Sequence, residues 1–440
     1  MGTTTQLVLD ARLSEAIGDF LEFDTTTNIT TDTSVISTTL RQYDDGQDDY
    51  FNEWWLYITE GNNITVERKI SDYDTATGTL TVYGANLSAE AGAVTCRIGR
   101  FKRGDKVKAI VDAIREIYPS LYKPIEDRTL VTGNFLPDGH FEWWSSSSAL
   151  KFYTASNVTL AQTTTAGLYR GPLGSTSAKA TASADNGYFY ISSDSYPRLL
   201  GLQDKTVSAY VWAHPEVADE AAIVIYTKQA AGSTQTLTSS TSNPAGEFTL
   251  LELEDQTLND DLAEVQIRFK VASSTKYAYF DAGRVVSQNL NLYILPEDAQ
   301  DGHINQVYVQ TSGYSDNICD DINPRFWEEV YGFQIIDDAT YKYLWLPYFY
   351  SNERQIKLIG TMPLETLTAD DGTISLSGER INLLVAKAAQ IFFERHEQPP
   401  SSEDVSRFTS NALRWERKYK QLLLQHRMSQ PSQFMNLPVY

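Results

Sequence analysis

The stretch VSAYVWAHPEVADEAAIVIYTK, residues 207–228, decides how the middle of this chain is read. Two runs rich in β-branched and aromatic residues flank a short acidic segment, which is the pattern of strands joined by a turn. Similar runs recur on both sides: LKFYTASNVTLAQ (150–162), SAKATAS (177–183), GYFYIS (187–192), FTLLELE (248–254), AEVQIRFKV (263–271) and YAYFDAGRV (277–285). From about 129 to 287, Ser, Thr, Ala and Gly dominate and charge falls. Many short strands with turn signals between them predict a sandwich or jelly roll, long enough to be a domain of its own.

Side-chain alternation then sorts the aromatic residues. In GYFYIS, Tyr188 and Tyr190 share one face and Phe189 points to the other. Trp212 shares a face with Tyr210, a pattern expected of a core. In PDGHFEWWSSSS (137–148), the adjacent Trp143 and Trp144 point to opposite faces. One is expected to anchor the core and the other, Trp143 by preference, to face outward.

Composition limits what the whole chain does. Its 440 residues hold 36 Lys and Arg against 57 Asp and Glu, a net charge of −21. That balance disfavours wrapping nucleic acid, which needs a basic surface. It suits a passage through which DNA slides without specific binding. Cys96 and Cys319 show no metal-like spacing, and five scattered histidines argue against a His-rich metal site. No signal peptide is read at the start and no run is long enough to span a membrane, so a soluble acidic chain with no membrane partner is expected. There is no GxSxG, HExxH, P-loop or CxxC, and no paired carboxylates in a recognisable acid/base motif. His140 reads as an exposed turn histidine, and the expectation is no enzyme.

The flanks differ from the middle. Residues 6–23 read as a helix with Leu7, Ala11, Ser14, Ile17, Gly18 and Leu21 on one face. Short strands follow between 25 and 88. Residues 105–118 return to helix, with Asp105 as a cap and a stripe of Val107, Ile110, Val111, Ile114 and Ile117 that Pro119 would end. After 288 come more strands, then a helix over 379–397 carrying Ile381, Leu384, Val385, Ala388 and Phe392. In the last helix Val405, Phe408, Ala412, Trp415, Tyr419 and Leu422 recur at spacings of 3 and 4. That is the seam of a helical hairpin, or of a helix packed on a neighbouring subunit. The ending MSQPSQFMNLPVY reads as an arm whose Phe434, Met435, Leu437 and Tyr440 would dock on a partner.

Two resemblances attach to these stretches. DDYFNEWWLYITEGNNITVERKISDYDTATGTLTVYGANLS (48–88) with RGDKVKAIVDAIREIYPSLY (103–122) resembles the N-terminal half of tail-proximal or neck proteins of tailed phages. The run from YKYLWLPYF to AAQIFFER (341–395) is similar to their C-terminal half. In the middle, LVTGNFLPDGHFEWW (130–144), KTVSAYVWAHPE (205–216) and STKYAYFDAGRVV (274–286) resemble the carbohydrate-binding-module-like, galactose-binding-like β-sandwiches. The resemblances imply a mainly β chain with some α. Residues 1–128 and 288–440 would form one discontinuous α+β neck-protein-like domain ending in a helical hairpin and arm, with a jelly roll at 129–287 inserted into it.

From this follows an expected role. The chain would form a ring of identical copies at the head–tail neck of the virion, touching portal and tail proteins through Val405, Phe408, Trp415, Tyr419, Phe434 and Tyr440. The jelly roll would project outward toward host surface glycans. A tail-tip or fibre-associated adhesin is the alternative. Sugar C–H faces stack on aromatic rings, so Trp143, Trp144, Tyr188, Tyr190 and Trp212 are the candidate carbohydrate contacts. The sandwich resemblance also implies a possible structural calcium held by Asp138, Glu142 and Asp281, although Ala282 stands where a second closing acid is customary. No other cofactor is expected.

Overall fold

The structure is a computed structural model. It describes residues 2–170, 174–240, 243–311, 326–396 and 402–429. The chain divides into two compact units, one made of Met1–Lys123 with Pro363–Ser429 and the other of Pro124–Met362. Among the described residues no helix is long and apolar enough to cross a membrane.

The first unit holds a six-stranded antiparallel sheet in the order Leu21–Asp24, Thr95–Gly99, Trp55–Ile58, Glu67–Asp74, Thr79–Val82, Ser34–Ile36. Phe23, Phe51, Leu56, Ile70 and Leu80 form its core. Helix α1 (Gln6–Ile17) is shorter than the sequence suggests. It stops at Gly18, whose φ of +74° suits a residue without a Cβ, and Leu21 instead begins a strand. Its buried face is Gln6, Leu9, Asp10, Leu13 and Ser14, rotated from the expected Leu7 and Ala11 face. The rotation has a polar cause. Arg103 Nε donates to the buried Asp10 at 3.1 Å and Gln6 Nε2 donates to Asp370 at 3.2 Å.

Helix α2 (Arg103–Ile117) begins two residues before Asp105, so that carboxylate lies in the first turn and is not the cap. Ile110, Ile114 and Ile117 are buried, while Val107 and Val111 lie at the edge of the stripe. In α3 (Arg380–Arg395) the five expected apolar residues are all buried. Helix α4 (Ser402–His426) returns along it. Ala412 and Trp415 are buried in the same helical core, with Phe408, Tyr419 and Leu422 packed against it. The Phe408 ring lies 6.1 Å from Phe393 and 6.2 Å from Phe101. Trp415 is therefore buried inside this unit, and Phe408 and Tyr419 are half-buried against the same core. Val405 is half-buried at the start of α4. What α4 leaves exposed is Leu413 and Leu424. Phe434, Met435, Leu437 and Tyr440 lie outside the described residues.

The second unit is built on a β-sandwich. Its strands are β1 (Thr154–Ser156), β2 (Val158–Thr163), β3 (Ser177–Ala182), β4 (Gly187–Ser192) and β5 (Thr206–Pro215). They continue as β6 (Ala221–Gln229), β7 (Thr234–Thr238), β8 (Thr249–Thr257), β9 (Leu262–Val271) and β10 (Tyr277–Val286). One sheet has the order β1-β4-β9-β6-β7 and the other β2-β3-β10-β5-β8. Phe189, Ile223, Ile225, Ile267 and Phe269 point inward from the first, and Ala209, Val211, Ala213 and Phe280 from the second. The rings of Phe189 and Phe269 stack at 4.9 Å.

Residues 288–362, expected to belong with the C-terminal flank, group with the sandwich instead. Their strands form a three-stranded sheet (Leu292–Ile294, Lys342–Trp345, Gln334–Asp337) and part of a four-stranded one (Trp327–Glu329, His303–Gln310, Gln355–Met362, Lys123–Val131). The physical reason is a shared core. Tyr293, Val307, Leu344 and Leu358 are buried in one continuous cluster with Phe189 and Phe280.

Candidate carbohydrate-binding face

Alternation on β4, β9 and β6 sends one set of side chains to the outer face of the first sheet. Phe189 is fully buried between Tyr188 and Tyr190, which are half-exposed. Cross-strand register places Tyr188 opposite Lys270 and Tyr190 opposite Arg268. On the far side of β9, Val224 faces Arg268 and Tyr226 faces Gln266. The outer face thus has a polar spine of Glu264, Gln266, Arg268 and Lys270 along β9, flanked by Tyr188 and Tyr190 on one side and Tyr226 on the other.

The spine is held in place by its own contacts. Arg268 Nε donates to Gln266 Oε1 at 2.7 Å, and Gln266 Nε2 donates to Glu264. The Arg268 guanidinium lies 4.0 Å from the centre of the Tyr226 ring and 4.7 Å from that of Tyr188. Tyr188 and Tyr190 are 5.6 Å apart. Rings held beside fixed donors and acceptors match what a sugar presents, an apolar C–H face rimmed by hydroxyls.

The tryptophans stand elsewhere. Trp144 packs against the sandwich core, and its indole N–H donates to the Phe141 carbonyl at 2.7 Å. Trp143 meets Phe152 and Tyr341 edge-on, at 5.2 and 5.6 Å. Trp212 is a correction. Ala209, Val211 and Ala213 fill the interior from β5, so Tyr210, Trp212 and His214 take the outer face of the second sheet. The Trp212 ring there lies 4.0 Å from the Arg170 guanidinium, on the opposite sheet from Tyr188 and Tyr190. Of the five sequence-picked rings, the structure brings together only Tyr188 and Tyr190. Tyr226, Gln266 and Arg268 were missed. Their alternation with Ile225, Ile267 and Phe269 was the available signal, but the sheet order that joins them was not.

The three acids read as calcium ligands serve the backbone instead. Asp138 accepts N–H bonds from Glu142 and Trp143, both at 3.0 Å. Glu142 accepts from the Ser175 and Thr176 N–H groups at 2.6 and 2.9 Å. Asp281 accepts from Arg170 and Ala282, both at 2.6 Å. Among the described residues no three His, Cys, Asp or Glu side chains form a group that could hold a metal ion. Ala282 has a φ of +49°. Register runs from Trp212↔Asp281 to Tyr210↔Arg284, so β10 carries one extra residue here, a β-bulge.

His140 is also corrected: it is 2 % exposed, and its Nδ1 lies 3.7 Å from Asp281. Burial holds it down at about 4, with the Arg284 charge adding to the effect. Burial pushes Asp138 up to about 7 against the pull of its two N–H partners, and Asp127 up to about 6.

No family model matches the chain, and no curated protein matches it. Solved structures do match part of it. The enzymatically active domain of bacteriophage CBA120 tailspike protein 4 aligns with 36 % of this chain at 11 % identity and a TM-score of 0.28. The match covers 22 % of that domain's own chain. The module TmCBM61, solved in complex with beta-1,4-galactotriose, aligns with 35 % of this chain and 99 % of its own, at 12 % identity and a TM-score of 0.24. The C-terminal family 22 carbohydrate binding module of Clostridium thermocellum Xyn10B aligns with 35 % of this chain and 94 % of its own, at 13 % identity and a TM-score of 0.28.

Proposed function

We propose that this chain is a structural protein of a tailed-phage virion whose β-sandwich binds carbohydrate on the host surface. The observation that carries the reading is the outer face of the first sheet, where Tyr188, Tyr190 and Tyr226 flank the Arg268–Gln266 spine. A sheet face with rings on either side of a polar spine suits a polysaccharide laid along β9. The site binds and does not cleave.

A glycan array probed with the full chain tests this. Binding to a bacterial surface polysaccharide is expected, and Tyr226→Ala should weaken it by about 2 kcal/mol, roughly thirtyfold in Kd. A wild-type chain that binds no glycan removes the proposal. The flanking unit, in this reading, assembles into the ring at the head–tail neck beside portal and tail proteins. The exposed Leu413 and Leu424 of α4 offer apolar contact for such packing. A monomeric mass in solution, with label at the tail tip in electron micrographs of virions, would favour the adhesin position instead.

A further inference from the structure

A cleft of about 660 Å³ opens in the second unit between the sandwich and its three-stranded sheet. That volume lies within the ~300–1,000 Å³ of small-molecule sites. Phe152, Tyr196, Tyr341 and Tyr343 line it, together with Arg198 and Asn291. The rings are braced from behind. Phe152 and Tyr341 lie 5.5 Å apart, and the Trp143 indole meets both edge-on, so neither ring turns freely.

The polar groups are fixed as well. Asp338 accepts the N–H of Thr340 at 3.0 Å and of Tyr341 at 2.8 Å, which stiffens the turn that presents Tyr341. Burial, and then a hydrogen bond to Asp338, pushes the Tyr343 phenol up to about 12, so it stays a neutral donor. Arg198 donates to the Leu292 carbonyl, which holds the guanidinium at the cleft wall.

We propose that this cleft is a second carbohydrate-binding site, separate from the strip along β9, taking a short oligosaccharide segment. It rests on the glycan-binding reading of the same unit. Four rings line the cleft as stacking surfaces, while Asn291, Ser195, Arg198 and Asp338 line it with donors and acceptors. Arg198 has N–H groups beyond the one that meets Leu292, and a purely apolar ligand would cover them without further partners, at a cost in free energy. A sugar satisfies both halves at once.

The test uses the full chain, a printed array of bacterial surface oligosaccharides, and titration calorimetry with the best array ligand. Two sites per chain are expected. The double variant Tyr188→Ala/Tyr226→Ala should keep one of them. Adding Tyr341→Ala, or Asn291→Ala if that variant does not fold, should lower the remaining affinity roughly tenfold or more. The proposal is overturned if the double variant binds nothing while wild type binds one sugar. It is overturned too if cleft substitutions leave the residual binding unchanged. Wild type that binds no sugar at all sinks both sites together, whereas loss confined to the cleft leaves the strip along β9 standing.

Discussion

Asp138 and His140 sit two residues apart and respond to acid in opposite ways. Asp138 titrates at about 7 in the fold and near ~3.9 unfolded, so the folded chain holds a proton there that the unfolded chain has lost. Its contribution to stability is full below the unfolded value and is lost as pH rises through about 7. His140, held at about 4 against ~6.5 unfolded, destabilises the fold as pH falls between those values. Between about pH 7.5 and 6.5 the acid outweighs the histidine, so the melting temperature of the second unit should rise on mild acidification. Scanning calorimetry of Asp138→Asn should show that rise flattened. Because all three candidate calcium acids already accept backbone N–H bonds, excess chelator should leave the same melting temperature unchanged. A drop would restore the ion. At this scale the sequence was a partial guide. It favoured Trp143 as the outer ring on the ground that strand alternation runs through 141–144. Yet Phe141 has a φ of +53° and strand geometry begins only at Trp144, so alternation does not run through the pair.

The helical hairpin illustrates what periodicity can and cannot say. The 3-and-4 spacing in α4 identified the residues that bury, but spacing does not name the surface they bury against. Trp415 is 7 % exposed within its own unit, so Trp415→Ala should cost ~3–5 kcal/mol. Denaturant titration should give the same loss at every protein concentration; a concentration-dependent midpoint would return this seam to a subunit interface. The sandwich strands were similarly legible one at a time, since GYFYIS coincides with β4 and AEVQIRFKV with most of β9. Their neighbours were not. Tyr188 and Tyr226 are 38 positions apart in sequence and are joined only through β9, a pairing that local pattern does not encode.

Each unit has hydrophobic clusters of its own, and none of the three clusters draws on both. Heating should therefore give two calorimetric transitions. Phe269→Ala, which removes a fully buried ring from the sandwich, should lower one of them by the equivalent of ~3–5 kcal/mol and leave the other in place. A single transition that shifts as a whole would show the units unfold together. The sequence reading placed the inserted segment too narrowly, at 129–287. The strands of 288–362 are short and carry aromatic runs like those of the flanks, so texture did not reveal whose core they complete.

Among the described residues, the second unit falls within a single stretch of the chain, Pro124–Met362. Its first and last strands, Lys123–Val131 and Gln355–Met362, are hydrogen-bonded neighbours. On the proposed reading as a glycan-binding virion protein, that would make it a genetic cassette. Two crossovers, one on each side of a single coding segment, would replace every sugar contact while leaving the flanking unit's own sequence intact. Related phages would then differ in host range by an abrupt block of unrelated sequence at this position, and not by scattered point changes.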